Sequence, residues 1–264
     1  MLRGLYMATS GMDVLQVAME GVGNNIANVS TPGYKKDTYL MKTFPEMLII
    51  EKGGPVNKVG NLHYRHNRAV GISGIGARIT DVKVDYSMGN VYETGDKTDV
   101  LLKGPAFFAI EYPGASDPGR ILYTRNGAFR VDANGYLVTG GGHQVQGEQG
   151  GIYIGEGEQR LTIDREGVVL IDDQRVDKLK LVEFSDMDAL YKEADDMFVD
   201  ENGIGEPAQS TTVIQGFLEG SNVNPVDEMA TLINVARAYE TTQRIIQTQD
   251  ELLSKAVNQV GSIR

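Results

Sequence analysis

The chain contains no cysteine and no tryptophan among its 264 residues. The lack of cysteine excludes a disulfide framework and every metal site that needs a cysteine ligand. The lack of tryptophan argues against a saccharide-binding cleft, because such clefts depend on exposed aromatic side chains. No stretch approaches the roughly 20 consecutive apolar residues that cross a bilayer. We therefore expect no membrane span.

Basic residues are also scarce, since 25 lysines and arginines face 36 acidic side chains and give a net charge of −11. Nucleic-acid binding takes its general affinity from clustered basic side chains, so nucleic acid is not expected as a partner. The N-terminus has one basic residue, Arg3, before its first acidic one and no sustained apolar stretch. A cleaved secretory signal is therefore not predicted.

The first 30 residues carry apolar side chains at a seven-residue spacing that predicts a helix. A heptad with apolar first and fourth positions is typical of helices that pack against other helices. Three asparagines, Asn24, Asn25 and Asn28, lie between the last apolar positions of this heptad. Pro32 predicts that the helix stops near Val29. The apolar heptad positions are Leu5, Ala8, Met12, Leu15, Met19, Val22, Ile26 and Val29.

The last 40 residues repeat this pattern and predict one long helix over residues 227–260. Asn224 and Pro225 precede it, and both residue types are favoured where a helix begins. Thr242 and Gln249 make the fourth heptad position partly polar. The first heptad position is occupied by Leu232, Tyr239, Ile246, Leu253 and Val260.

Residues 80–218 have glycine- and aspartate-rich turns between short β-branched and aromatic runs, which indicates antiparallel β structure. Two segments, 129–138 and 161–170, predict hairpins. The overall expectation is an α+β fold, mainly β, in which long N- and C-terminal helices pair as a coiled-coil-like stalk. The predicted divisions are an N-terminal helical segment 1–36, a connection 37–79, a β domain 80–218 and a C-terminal helical segment 219–264.

Charge follows the same division. Residues 1–40 hold three basic and three acidic side chains, and residues 221–264 hold four basic and five acidic ones. Nearly all of the net charge therefore lies in the β region. Near-neutral helices can crowd together, while an acidic β body stays solvated.

The predicted N-terminal helix contains four glycines, at positions 4, 11, 21 and 23. Each costs about 1 kcal/mol relative to alanine in a helix interior, so the helix needs its apolar stripe covered to be stable. The cover is either the C-terminal helix of the same chain or the helices of other copies. Both possibilities predict a helical hairpin, and only the second predicts a polymer.

Metal, cofactor and catalytic sites are not expected. His63 and His66 have a spacing that would share a helix face, but neighbouring arginines disfavour a cation. The glycines of residues 71–76 follow neither nucleotide-binding pattern and indicate a loop before a strand. Asp132 opens a segment similar to a calcium loop that lacks the closing glutamate. The paired carboxylates at 172–173 and 195–196 are typical of a solvated acidic surface.

Several motifs of the chain, at both ends and in the centre, resemble those of a known family. The first is NNIANVSTPGYK at residues 24–35, which is similar to the N-terminal signature of the bacterial flagellar rod and hook proteins. Residues 216–229, GFLEGSNVNPVDEM, with RAYE at 237–240, are similar to its C-terminal motif. Between them, TGDKTDV at 94–100, GPAFFAI at 104–110 and YTRNGAF at 123–129 also resemble the family. The resemblance covers nearly the whole chain.

The resemblance implies a non-enzymatic subunit of the rod that connects the flagellar motor to the hook and transmits torque. In that family the terminal helices of many copies pack as tubes around an export channel, with the β domain outside. It also implies export by the flagellar type III apparatus into the periplasm and cell-wall zone of the basal body. The implied partners are other copies, other rod and hook axial proteins, and that export apparatus, with bushing-ring proteins or the cell wall left open.

Length near 260 residues and the Phe107-Phe108 region suit either the distal rod type or its proximal relative, and the short stretch 37–67 leaves that choice open. A different class of protein also remains: a carbohydrate- or cell-wall-binding β domain with a helical oligomerisation stalk. No cofactor is expected in either case.

Overall fold

A computed structural model shows two helices and a series of antiparallel strands. The residues that it describes are 2–44, 47–51, 56–59, 62–65, 68–74, 76–113, 118–155, 160–194 and 196–261. The expected fold class is confirmed: the protein is mainly β, with one long helix at each end and a central antiparallel β region.

The helices are α1 (Leu2–Ala27) and α2 (Pro225–Gly261). A short 3-10 helix covers Met187–Ala189. The strands are β1 (Lys36–Thr43), β2 (Met47–Glu51), β3 (Val56–Val59), β4 (Leu62–Arg65), β5 (Arg68–Ser73), β6 (Ala77–Asp85), β7 (Val91–Glu93), β8 (Val100–Lys103), β9 (Phe107–Pro113), β10 (Pro118–Thr124), β11 (Phe129–Val131), β12 (Leu137–Thr139), β13 (Gln144–Val145), β14 (Leu161–Ile163), β15 (Val168–Ile171), β16 (Gln174–Lys178), β17 (Leu181–Glu183), β18 (Leu190–Ala194), β19 (Met197–Asp200), β20 (Glu206–Pro207), β21 (Thr212–Gln215) and β22 (Phe217–Glu219).

Both helices match the predicted segments closely. Helix α1 ends at Ala27, two residues before the predicted stop, and the chain then forms a turn in which the Thr31 N–H donates to the Asn28 carbonyl. Helix α2 begins at Pro225, where a missing N–H costs nothing because the first turn has no acceptor for it. The proline therefore marks the start of α2, as predicted.

Strands begin at Lys36, so the expectation that β structure starts near residue 80 is wrong. Residues 36–79 contain β1 to β5 and the start of β6, arranged as two-stranded pairs: β1 with β6, β2 with β5, and β3 with β4. Polar and charged residues interrupt the apolar pattern here, because a two-stranded ribbon buries little of either face.

Two smaller expectations in this stretch also change. Residues 62–65 form strand β4, opposite β3, so His63 lies on a strand and not on a helix, and His66 lies outside the described residues. Gly71 lies within β5, so the predicted loop is confined to the short connection between β5 and β6.

The chain divides into two compact units, each of which collects separate stretches of sequence. Unit 1 contains Met1–Asn24, Asp37–Lys83 and Val226–Arg264, and unit 2 contains Asn25–Lys36 and Val84–Pro225. Unit 1 therefore holds most of both helices and the ribbons of residues 37–83, whereas the two-stranded pairs β7 with β22 and β8 with β21 belong to unit 2. Unit 2 holds the larger sheet together with the segments that enter and leave it.

The core of unit 2 is a nine-stranded antiparallel sheet with the order β11-β12-β13-β9-β10-β19-β18, to which β17 and β20 are attached through β9. Phe108 and Phe129 pack edge to face with their ring centres 4.9 Å apart. A second aromatic cluster surrounds Phe107, which contacts Phe184 and Phe198. Such pairs add to the apolar burial that stabilises the sheet.

Both predicted hairpins are present. Strand β11 pairs with β12, and β14 pairs with β15. Gly135 and Gly167 adopt positive φ values of 80° and 81° in the two turns, a conformation that favours glycine. In the first turn the Asp132 carboxylate accepts the backbone N–H groups of Asn134 and Tyr136, so the segment that resembles a calcium loop is a hairpin turn.

Candidate assembly interface

Helix α2 is covered along one narrow stripe. Between residues 240 and 258, every side chain is exposed except those that occupy the two predicted heptad rows. A stripe with this spacing is the pattern of a helix packed against one neighbouring element. Val260 lies within α2, but its side chain is not among those described. The half-buried heptad residues of the whole helix are Leu232, Val235, Tyr239, Thr242, Ile246, Gln249, Leu253 and Ala256.

Helix α1 is covered more broadly than its heptad predicts. Its heptad residues Leu5, Ala8, Met12, Leu15, Met19 and Ile26 are half-buried and Val22 is buried. Val14 and Ala18 are buried as well, on an adjacent row that the heptad does not include. The sequence signal for this row is the small or β-branched character of Val14, Ala18 and Gly21, spaced by four and three residues.

Tyr39 of β1 covers one member of this second row. Its ring lies against Gly21 so closely that a methyl group on Gly21 would overlap it. At Gly21, α1 therefore packs against a strand, and glycine leaves the room that the ring needs. The ring burial, with Asp37 and Glu20 nearby, raises the pKa of Tyr39.

The two helices meet within one chain. A methyl group on Gly4 would lie 2.5 Å from the Gln249 side-chain nitrogen, so the glycine makes room for the Gln249 side chain. The Gln249 side-chain oxygen is buried there without a hydrogen-bond partner among the described residues. At this contact the two helices of one chain cover each other, because a residue of α1 lies against the heptad stripe of α2 in the same chain.

Apolar side chains outside the heptad rows remain exposed on both helices. Val226 and Val257 of α2 and Tyr6 of α1 are 69–71% exposed. Contiguous exposed apolar surface marks sites of association in soluble proteins. A single chain thus leaves apolar surface on its helices for something else to cover. The remaining exposed apolar residues of the helices are Met7, Val17, Met229, Ile233, Ile245 and Leu252.

The three asparagines at the end of α1 have different surroundings. Asn24 is exposed, while Asn25 is buried and accepts a hydrogen bond of 3.1 Å from the Tyr34 hydroxyl. Asn28 is half-buried, and its side-chain oxygen accepts a hydrogen bond of 3.0 Å from the Thr31 hydroxyl. Asn25 and Asn28 therefore stabilise the turn that follows α1 within the same chain.

The segments that enter and leave unit 2 are joined by buried charges, a cluster that sequence reasoning did not predict. The Lys35 ammonium lies 2.6 Å from a Glu219 carboxylate oxygen, and the Arg125 guanidinium lies 3.2 Å from the other oxygen. All three side chains are at least 95% buried. Lys35 also donates to the Ser87 carbonyl at 2.8 Å. We call these three residues the buried charge cluster.

Backbone hydrogen bonds reinforce this junction. The Gly33 N–H donates to the Glu219 carbonyl at 2.8 Å, and the Lys36 N–H donates to the Asn222 side chain, also at 2.8 Å. Gly33 has a φ of 70°, and a methyl group there would lie 2.5 Å from the Arg125 backbone. The two signature segments of the sequence are thus placed side by side.

The electrostatics of the cluster are unusual because two cations share one carboxylate. Burial lowers the pKa of Lys35, and Glu219 opposes that change by stabilising the ammonium. Burial likewise lowers the pKa of Arg125. The cluster tolerates two buried cations because Glu219 and several backbone carbonyls accept hydrogen bonds from them.

Within the described ranges, no group of three histidine, aspartate or glutamate side chains is arranged to hold a metal ion. Asp172 and Asp173 form the turn between β15 and β16 with positive φ values of 49° and 63°. Asp195 lies outside the described residues. Helices long and apolar enough to span a bilayer are absent from the part of the chain that the structure describes.

Three protein-family models match the chain, at its two ends and in the centre. Residues 5–35 match the model described as flagella basal body rod protein. Residues 101–171 match the flagellar hook protein FlgE/F/G D1 domain. Residues 214–260 match the flagellar basal body rod FlgEFG protein C-terminal model. The two terminal matches include the segments that the buried charge cluster joins.

Curated relatives match over almost their full length. The chain is 34% identical to flagellar basal-body rod protein FlgG of Agrobacterium fabrum over 270 residues, covering 96% of this chain and 97% of the relative. It is 30% identical to FlgG of Bacillus subtilis, covering 98% and 99%. It is also 29% identical to flagellar basal-body rod protein FlgF of Caulobacter vibrioides, covering 98% of each.

Proposed function

Because the chain belongs to the family of flagellar basal-body rod proteins, we propose that it is a structural subunit of the bacterial flagellar rod. Many copies assemble into a helical tubular shaft that transmits torque from motor to hook, without catalysis. The observation that carries this proposal is the apolar surface that both helices leave exposed in one chain. No observation favours a carbohydrate- or wall-binding role.

Assembly uses the two terminal helical segments, 1–36 and 219–264, as the axial part of the subunit. Segment 37–79 connects them to the β domain, 80–218, which lies outside. The assembly interface consists of the heptad residues, from Leu5 to Ile26 and from Leu232 to Val260, with Asn24 and the exposed apolar side chains beside them. Asn25 and Asn28 contribute from within the chain, because they stabilise the turn that follows α1. Contacts between unlike surfaces that do not close into a ring produce a helical polymer.

The buried charge cluster has a mechanical role in this proposal. It fixes the start of α2 and the end of α1 to the same point of unit 2, so load on the helices reaches the sheet through both ends together. The partners are other copies and other rod and hook axial proteins. Export through the flagellar type III apparatus brings the chain to the basal body in the periplasm and cell-wall zone, where ring proteins or the wall surround it.

Electron microscopy of the concentrated protein tests the proposal directly. We expect filaments or tubes from the full chain and none from a variant that lacks residues 2–24, which keeps the Asn25–Tyr34 hydrogen bond. Near-ultraviolet circular dichroism of the truncated chain should still show the packed aromatics of unit 2. Filaments from the truncated chain, or none from the full chain at any concentration, would contradict the proposal.

A further inference from the structure

A cavity of about 300 Å³ lies beside the buried charge cluster within unit 2. Three of the sequence motifs meet there: TPGYK supplies Lys35, GPAFFAI supplies Pro105 and Phe107, and YTRNGAF supplies Arg125. The cavity is open to solvent on one side, so a solute can enter it without unfolding of unit 2.

The cavity has one charged wall. Lys35 and Arg125 both line it, whereas Glu219, their shared carboxylate, does not. Among the ionised groups of the cluster, cations therefore exceed anions by one. The Lys192 ammonium adds positive charge nearby, since it lies 3.9 Å from the centre of the Tyr34 ring and donates to the Lys35 carbonyl. Asp85, an exposed carboxylate, is the acidic group that acts on Lys35 from the solvent side.

Arg125 retains donors for a further acceptor. One of its terminal nitrogens donates to the Gly104 and Ala106 carbonyls, and the other lies beside Glu219. A guanidinium has five N–H donors, and its planar fork suits a carboxylate. These contacts use three of the five, and the side chain lies on the wall of the cavity.

The rest of the lining is mostly apolar. It includes Pro105, Phe107, Met187, Tyr86 and Met88, and Met88 is 44% exposed, so its side chain lies on the solvent side of the cavity. Methionine side chains adapt to ligands of different shape. The cavity thus combines an apolar entrance with a cationic end, the usual composition of a site for a small polar group on an apolar body.

We propose that this cavity binds a carboxylate carried on an apolar stem, with Arg125 donating at its charged end and Met88 and Met187 along the stem. Lys35 adds positive charge without donating to the ligand, because its three N–H groups already bond to Tyr86, Ser87 and Glu219. Two sources offer this chemistry: an acidic side chain of another copy, whose β region carries nearly all of the net charge of −11, or a free organic acid. Ligand binding can be tested separately from the proposed assembly, because every residue of the site belongs to unit 2, whereas most of both helices belongs to unit 1.

A titration of the dilute, unassembled chain with 3-phenylpropionate tests the site, and 3-phenylpropan-1-ol serves as the neutral control of equal size. With methionine methyl groups labelled with ¹³C, we expect the acid to shift the Met88 and Met187 resonances saturably and to bind about tenfold or more tightly than the alcohol, because a charge-assisted hydrogen bond is lost in the alcohol. Equal binding of acid and alcohol, or no shift at Met187, would overturn the proposal.

Variants at Met88 provide the second test, and their folding is checked by circular dichroism. Met88→Trp fills the entrance and should abolish acid binding, whereas Met88→Ala opens it and should retain binding. Unchanged binding in Met88→Trp would refute the site. If Met88→Trp also raises the concentration needed for assembly and Met88→Ala does not, the source is another copy; if assembly of both is unchanged while the acid still binds Met88→Ala, the source is a free acid.

Discussion

At the scale of single residues, Glu219 is the side chain on which the junction of unit 2 most depends. It lies 184 positions from Lys35 along the chain and faces both buried cations. The sequence showed all three residues within motifs but could not pair them, because ion pairing across such a distance follows from the folded path and not from spacing. Tyr34 and Asn25 were closer in sequence and equally unpredicted.

Replacing Glu219 with glutamine should destabilise unit 2 by about 3–5 kcal/mol, because it leaves two buried cations without a counter-charge. The measurement is urea unfolding of the dilute chain followed by aromatic circular dichroism. Glu93→Gln is the matched control, since Glu93 is exposed on β7 beside the same strand, β22. Equal midpoints for the two variants would show that the cluster contributes little to stability.

Acid should weaken unit 2 partly through Glu183. Burial raises the pKa of this carboxyl, but hydrogen bonds from Thr211 at 2.8 Å and from Ser210 at 3.1 Å outweigh burial and hold its pKa below 4.5. The folded state then binds fewer protons than the unfolded state just below pH 4.5, so this stabilisation is present above that pH and is lost as pH falls through the folded pKa.

We expect Glu183→Gln to lose less stability than the natural chain between pH 5 and pH 3, as followed by urea midpoints. An identical acid dependence of the two proteins would contradict this role.

At the scale of elements, the two helices show how far a heptad can be used. In α2 the heptad rows predicted which side chains are covered from residue 240 to 258. In α1 the same reasoning missed the buried row of Val14 and Ala18. The same row contains Gly21, which packs against Tyr39 of β1, and a period of seven describes only helix-to-helix contacts. The early strands were missed for a related reason: two-stranded ribbons expose both faces and leave no alternating pattern.

A charge in the heptad stripe should prevent assembly. Ile246→Asp places a carboxylate on the half-buried row of α2, whereas Gln247→Asp places the same charge on an exposed position next to it. We expect only Ile246→Asp, and likewise Leu15→Asp in α1, to abolish filaments in electron micrographs, because a carboxylate is not tolerated in a packed apolar seam. Normal filaments from Ile246→Asp would show that this row is not part of the interface.

The helices should be less protected than the large sheet in the free chain. Their apolar surface is partly exposed in one copy, whereas β9 lies in the middle of the large sheet. Amide exchange of the unassembled protein should therefore be fast for residues 240–258 and slow for β9, and assembly should slow the former. Strong protection of residues 240–258 in a verified monomer would contradict ordering by assembly.

At the scale of the whole molecule, the chain starts and ends in unit 1 and enters unit 2 twice, at residues 25–36 and at residues 84–225. The sequence predicted helical ends around a β centre, and its motifs pointed to the correct family. It did not predict that segment 25–36 belongs with the β unit, because that grouping depends on Gly33, Lys35 and Lys36 binding residues beyond position 218.

The hydrogen bond from the Gly33 N–H to the Glu219 carbonyl places the turn after α1 next to the last strand of unit 2, β22. Tension applied to the two termini would consequently shear that short clamp first, and the nine strands behind it would carry almost no load until the clamp opened. In a single-molecule pulling experiment the first rupture should therefore be the opening of this junction. The number of residues between Gly33 and Glu219 could change without altering the force at which that rupture occurs.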